Sequence, residues 1–83
     1  MVLIMPTPEE QRAEEQQVIA RERQAFDRRQ KAFINVTRQF APHGNGSPSQ
    51  ADMDELDAAD AEWQAATAET DRIGEEIRMG KRR

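Results

Sequence analysis

The chain contains few side chains of the kinds that perform catalysis. Its single histidine, His43, lies between Pro42 and Gly44, and the 83 residues include no cysteine. A Ser-His-Asp triad or a thiol nucleophile needs a base and an orienting partner that this sequence does not supply. We therefore expect no catalytic residues, interpret His43 as a solvated loop residue, and predict that the protein is not an enzyme.

Metal and cofactor motifs are also incomplete. Asp52 and Asp54 have the spacing that opens a calcium-binding loop, but Asp57 stands where such a loop requires glycine. Trp63 then occupies the place of the closing glutamate. The glycines in 44–46 lack both the preceding strand and the Gly-Lys-Ser/Thr sequence of a phosphate-binding loop. We expect neither a metal ion nor a cofactor.

Two short motifs predict where helices begin. Residues 7–10 (TPEE) and 47–50 (SPSQ) both read hydroxyl, proline, polar residue, then Glu or Gln. This is a capping box with proline at the first helical position, where its missing N–H is no loss. The stretch before the second motif is rich in Pro, Gly and Asn, which favours a turn. We predict helices over about 8–41 and 48–79, joined by a loop at 42–47.

Apolar residues recur every seven positions in both predicted helices, as in a coiled coil. The predicted core comprises Ile19, Phe26, Phe33, Val36 and Phe40 in the first helix and Leu56, Ala59, Ala66, Ile73 and Ile77 in the second. The two rows face each other when paired residue numbers sum to about 89, which sets Phe26 against Trp63. The sequence thus predicts an all-α fold, a two-helix antiparallel hairpin.

The distribution of charge favours the same antiparallel pairing. Residues 21–38 carry six basic and two acidic side chains, whereas 47–71 carry eight acidic side chains and no basic one. Acidic residues predominate in 7–20 and basic residues in 72–83. Folding the chain back on itself therefore brings opposite charges together along its whole length.

A lone hairpin of this size has a small core. Several residues of the first helix, among them Glu22 and Arg29, are charged where a coiled coil prefers apolar side chains. We therefore expect the protein to self-associate into a helical bundle, as a homodimer or tetramer, or to bind another protein.

Several groups of residues are candidates for partner binding. Trp63 is either a core residue or an interface anchor, since single tryptophans often dominate interfaces. The other candidates are Val2, Leu3 and Ile4 in the apolar extension 1–6, the off-seam Ile34, and Ala51, Ala58, Ala61 and Ala65 on the outer face of the second helix. The extension precedes a single helical domain at 7–83 that ends in the basic tail 80–83, and Met5 is an alternative start.

We expect a small, non-enzymatic protein-interaction module, such as an adaptor, co-chaperone, assembly factor or inhibitor. A cysteine-free chain whose apolar start is too short for a signal peptide or membrane span points to the cytoplasm. One alternative is a dimeric hairpin that binds RNA through outward-facing Arg21, Arg28 and Lys31, although the net charge of −4 makes nucleic acid the less favoured partner. Another is a structural coiled-coil component of a larger assembly.

Overall fold

The protein folds as two long antiparallel helices. The computed structural model describes residues 6–40, 42, 44 and 46–82, and His43 and the apolar residues Val2, Leu3 and Ile4 lie outside this range. Helix α1 spans Pro8–Arg38 and helix α2 spans Gln50–Arg78. The hairpin measures 60 × 24 × 19 Å. The predicted all-α antiparallel hairpin is confirmed.

The helix starts agree only in part with the predicted caps. Thr7 caps α1 as expected, because its hydroxyl oxygen accepts the backbone N–H of Glu10 at 3.1 Å. The cap of α2 is Ser49, which accepts the N–H of Asp52 at 3.1 Å. The prediction of Ser47 as this cap is therefore wrong. Both serines precede a polar residue at the third following position, so the local sequence does not separate them.

The buried seam between the helices is built mostly from small side chains. Its buried apolar residues are Val18, Ala25, Ala32 and Val36 of α1 and Ala59 and Ile73 of α2. Leu56 and Ala66 are half-buried beside them. The predictions for Val36, Ala59 and Ile73 are confirmed, and Val18, Ala25 and Ala32 take the row that the phenylalanines were expected to fill.

The large apolar residues of the predicted core lie outside this seam. Ile19, Phe26, Phe33, Phe40 and Ile77 are between 45% and 63% exposed, so their assignment as core residues of the hairpin is wrong. In α1 the first three stand one residue beyond the buried row, which turns them about 100° around the helix axis. A row of alanines permits close approach of the two backbones, and phenylalanine at the same positions would hold them apart.

The predicted register is confirmed by contacts between the helices. The rings of Phe26 and Trp63 meet with centroids 5.5 Å apart and planes inclined at 58°. One turn further along α1, the guanidinium of Arg29 pairs with Asp60. Both pairs have residue numbers that sum to 89. The helices therefore align as charge and apolar spacing indicated, although α1 is rotated about its own axis.

The end of the chain folds back onto α1. Gly80 adopts a positive φ of 73°, and the N–H of Lys81 donates to the carbonyl of Glu76 at 2.8 Å, which ends α2 in a Schellman motif. The next side chain, Arg82, is only 7% exposed and donates hydrogen bonds to Glu14, Glu15 and Glu76. This arginine clamp ties the two helices together at the end opposite the loop.

We predict opposite effects of alanine at two glycines. Gly74 lies within α2, and a Cβ there would meet only Arg78 Nη1, at 3.9 Å. Gly74→Ala should raise the free energy of unfolding by about 0.5–1 kcal/mol, because alanine restricts the unfolded chain and favours helix. A Cβ at Gly44 would lie 2.4 Å from the carbonyl oxygen of Gln39. Gly44→Ala should therefore destabilise the fold. Urea unfolding of both variants at one protein concentration tests this; equal effects would contradict the described packing.

The arginine clamp should make the fold sensitive to acid. The hydrogen bonds from Arg82 hold the pKa of Glu14 and Glu76 below the ordinary value of 4.5. The folded state thus binds fewer protons than the unfolded chain, so this stabilisation is complete above 4.5 and is lost as pH falls through the lowered pKa values. We expect Arg82→Gln to lower the urea midpoint at about pH 7 and to flatten its decline towards about pH 3.

Arg78→Gln is the matched control for this variant. Arg78 pairs with Glu75 one turn away on the same helix and is largely exposed, so its removal should change the pH profile little. If the two variants alter the profile equally, the clamp does not contribute as described.

Candidate functional site

Two different flanks run along the hairpin on either side of the seam. We name as the apolar flank the side formed by Ile19, Phe26 and Phe33 of α1, by Phe40 just beyond that helix, and by Trp63 and Ile77 of α2. We name as the ion-paired flank the side formed by Glu14, Arg21 and Arg28 of α1 with Glu55, Glu62 and Glu69 of α2. On α1, the residues of the apolar flank come one position after the buried residues, and those of the ion-paired flank come three positions after them. Steps of one and three residues turn in opposite directions from the seam, so the two flanks lie on opposite sides.

The apolar flank is a row of half-exposed rings. Ile19, Phe26 and Phe33 succeed one another at intervals of about 10 Å along α1, and Phe40 continues the row just past the helix end. Phe26 is supported from below by Trp63, which is itself half-buried. Phe26 therefore has one side against Trp63 and the other open to solvent, and Ile19, Phe33 and Phe40 are exposed to a similar extent.

A groove interrupts the apolar flank near the clamped end. It has a volume of about 240 Å³ and is walled by Ile19 of α1 and by Ile73 and Ile77 of α2. Thr70 and Gly74 complete its floor. Gly74 has no side chain to fill the groove. The groove is therefore large enough to receive one aliphatic side chain from outside.

Two charged residues at the seam beside the apolar flank, Glu22 and Arg29, have partners within the hairpin. Arg29 donates to Asp60, and the hydroxyl of Thr70 donates to Glu22. These two interactions explain how Glu22 and Arg29 occupy positions at the seam where a coiled coil prefers apolar residues. Covering the flank would leave neither charge without a partner.

The ion-paired flank is dominated by arginine hydrogen bonds to glutamates. Arg28 bridges Glu55 at 2.8 Å and Glu62 at 2.7 Å, two glutamates one heptad apart on α2. The hydrogen bond from Arg28 lowers the pKa of Glu55, and the bonds to Glu55 and Glu62 raise the pKa of Arg28. Glu55 therefore stays charged near neutral pH, and both carboxylates are occupied as acceptors, an arrangement that suits a solvated, structural face.

Arg72 extends this network towards the clamped end. It pairs with Glu69 and Glu76 on its own helix and reaches Glu14 of α1 at 3.3 Å. Its hydrogen bond to Glu69 holds the pKa of that carboxyl below the usual value. Described residues include no group of three or more His, Cys, Asp or Glu side chains placed to hold a metal ion.

The sequence-predicted binding residues do not form one surface. Ile34 is 47% exposed on the outer face of α1, away from the apolar flank. Trp63 lies at the boundary between the seam and the apolar flank, half-buried and in contact with Phe26. The alanines Ala51, Ala58, Ala61 and Ala65 are exposed on α2, and Ala65 lies on the ion-paired flank, where it lines a depression with Arg21 and Glu62.

The sequence contained a signal for the residues that were missed. Val18, Ala25 and Ala32 alternate with Glu22 and Arg29 at intervals of three and four, the spacing of a coiled-coil seam. The prediction instead placed the row with the largest apolar side chains, the phenylalanines, at the seam.

Comparison with known proteins adds no relative. No protein-family model, no curated protein and no solved structure matches the chain. In the part of the chain that the structure describes, neither helix is both long and apolar enough to cross a membrane. Function is therefore argued from the two flanks themselves.

Proposed function

We propose that the protein is a non-enzymatic protein–protein interaction module whose apolar flank binds another helical surface. The observation that carries this proposal is the regular row of half-exposed Ile19, Phe26 and Phe33 on a straight helix. Apolar anchors at a helical repeat are the means by which one helix lies against another. An adaptor, assembly factor, co-chaperone or inhibitor would use such a row in the same way.

The size of the flank supports a binding role. A fully buried aromatic side chain covers about 150–250 Å², so three half-exposed phenylalanines leave roughly 200–400 Å² of apolar surface. Ile19, Ile77 and the open edge of Trp63 add to this area. The largest apolar patches on soluble monomers measure about 300–600 Å² and are often functional. The flank falls within that range.

The charges of the hairpin favour a protein over RNA as the partner. RNA binding would need arginines that face outward and contact phosphate. Arg28 is held by two glutamates and Arg29 by Asp60. An RNA backbone would have to displace these carboxylates and would meet their negative charge.

The absence of cysteine suits a reducing compartment, and we propose that the protein acts in the cytoplasm.

Two neighbouring substitutions test this role. Phe33→Gln removes a ring from the apolar flank, whereas Ile34→Gln removes an equally exposed apolar residue from the outer face of the same turn. Each change replaces an exposed hydrophobe by a helix-compatible amide, so the fold should persist in both. We expect proteins captured by the immobilised chain from its native lysate to be lost with Phe33→Gln and retained with Ile34→Gln. Mass spectrometry of the captured proteins, including the chain itself, provides the measurement.

The helicity of both variants, measured by circular dichroism, is the control for folding. Capture of the same proteins by the wild type and by both variants would contradict the proposed role of the flank. Loss with Ile34→Gln alone would move the binding surface to the outer face of α1.

A further inference from the structure

We infer that the occupant of the apolar flank is a second copy of this chain, related to the first by a two-fold axis parallel to the helices. In this arrangement α1 of each copy lies on α2 of the other, and the four helices form a bundle in which every neighbouring pair is antiparallel. The inference rests on the proposed function and names the partner of that same surface.

Charge complementarity selects this two-fold axis. A two-fold axis parallel to the helices repeats between copies the register found within each hairpin, so the exposed Arg23 of α1 faces the edge of α2 that carries Asp57 and Asp71. An axis perpendicular to the helices would instead set α2 against α2 of the second copy. It would bring the exposed Asp57 and Asp71 of both copies to one edge, and residues 47–71 include no basic side chain to offset them. Like charges facing each other disfavour that alternative.

The shape of the flank is complementary to itself under the same axis. Within one hairpin, Ile19 lies at the level of Thr70 and Gly74, since all three line the groove of about 240 Å³. A two-fold axis parallel to the helices does not shift residues along the helix direction. Ile19 of the second copy therefore lies over the groove, where Gly74 leaves room. Phe26 of the second copy likewise arrives at the level of Trp63. Each hairpin thus supplies both a row of projecting side chains and the surface that receives it.

The available area is sufficient for a stable dimer. A standard interface buries about 800 Å² on each partner. The hairpin is 60 Å long and 24 Å wide, and its apolar residues are spread along most of that length. The charged side chains beside them, Arg29 with Asp60 and Glu22 with Thr70, are already paired within each copy. Closing the flank therefore buries rings without stripping partners from charges.

Single cysteines can report the arrangement directly, because the natural chain has none. Three exposed residues lie at the outer edges of the apolar flank: Arg23, Gln30 and Gln64. Each directly follows a seam residue in the sequence, namely Glu22, Arg29 and Trp63. With the parallel axis, Arg23 on α1 comes beside Gln64 on α2 of the second copy. A perpendicular axis that crosses the hairpin at the level of Gln30 would bring Gln30 beside the same residue of the second copy.

The test mixes two single-cysteine variants. We expect Arg23→Cys and Gln64→Cys, mixed and treated with a short bismaleimide, to give a covalent dimer containing one chain of each, identified by mass. Gln30→Cys alone should give little dimer. A strong Gln30→Cys dimer without the mixed product, or no cross-linked product from any variant, would overturn the inference.

Sedimentation equilibrium of unmodified chains provides an independent measurement. We expect a dimer whose dissociation constant rises at least about tenfold in Gly74→Leu, which fills the groove although leucine favours helix. Emission from Trp63, the only tryptophan in a chain without tyrosine, should shift to shorter wavelength as the dimer forms. Ile34→Gln should change neither property. A wild-type chain that remains monomeric would overturn the inference.

The inference and the proposed function can fail separately. A monomer that still captures other proteins through Phe33 would disprove the second copy as occupant and leave the interaction role in place. A monomer whose capture is insensitive to Phe33→Gln would disprove both.

Discussion

The close approach of the two helices through small side chains is the constraint on which the rest of the structure depends. Ala25 and Ala59 are fully buried, and Ala32 is nearly so. A seam of alanines brings the backbones together and leaves no room for a ring in the same row. The phenylalanines of α1 must then stand beside the seam, where each packs on one side only. A hairpin with leucine or phenylalanine layers would bury its large apolar residues itself, and this one leaves a flank open.

Small side chains also leave the register to be set by charge. One alanine fits against its neighbours much as the next does, so apolar packing alone would tolerate a slip of the helices by a heptad. Arg28 spans Glu55 and Glu62 together, but Glu69 repeats that spacing, so Arg28 sets the register only jointly with the Arg29–Asp60 pair and the arginine clamp. Each exposed pair contributes little by itself. Their joint pattern, with the arginine clamp at the far end, distinguishes one alignment from all others.

The number, direction and register of the helices could be predicted from the sequence, because breakers, caps and charge act locally or over long segments. The rotation of α1 about its axis could not. Rows 18, 25, 32 and 19, 26, 33 share the same seven-residue period, and period alone does not say which row faces the partner. The choice depends on how closely two particular helices can approach, a property of the pair. The phenylalanine row was therefore recognised in the sequence but assigned to the seam instead of to the flank beside it.

An open flank on only one side of the hairpin determines what kind of assembly can form. Burying the rings stabilises the folded state, so association and folding reinforce each other. The opposite flank carries Arg28 and Arg72 in networks with glutamates and stays solvated. Two hairpins that meet through their apolar flanks would present mainly polar surfaces outward, and the contact would close on itself. A second apolar flank would instead allow hairpins to add without limit into a filament. The asymmetry of the two flanks thus favours a small, closed complex over an open filament.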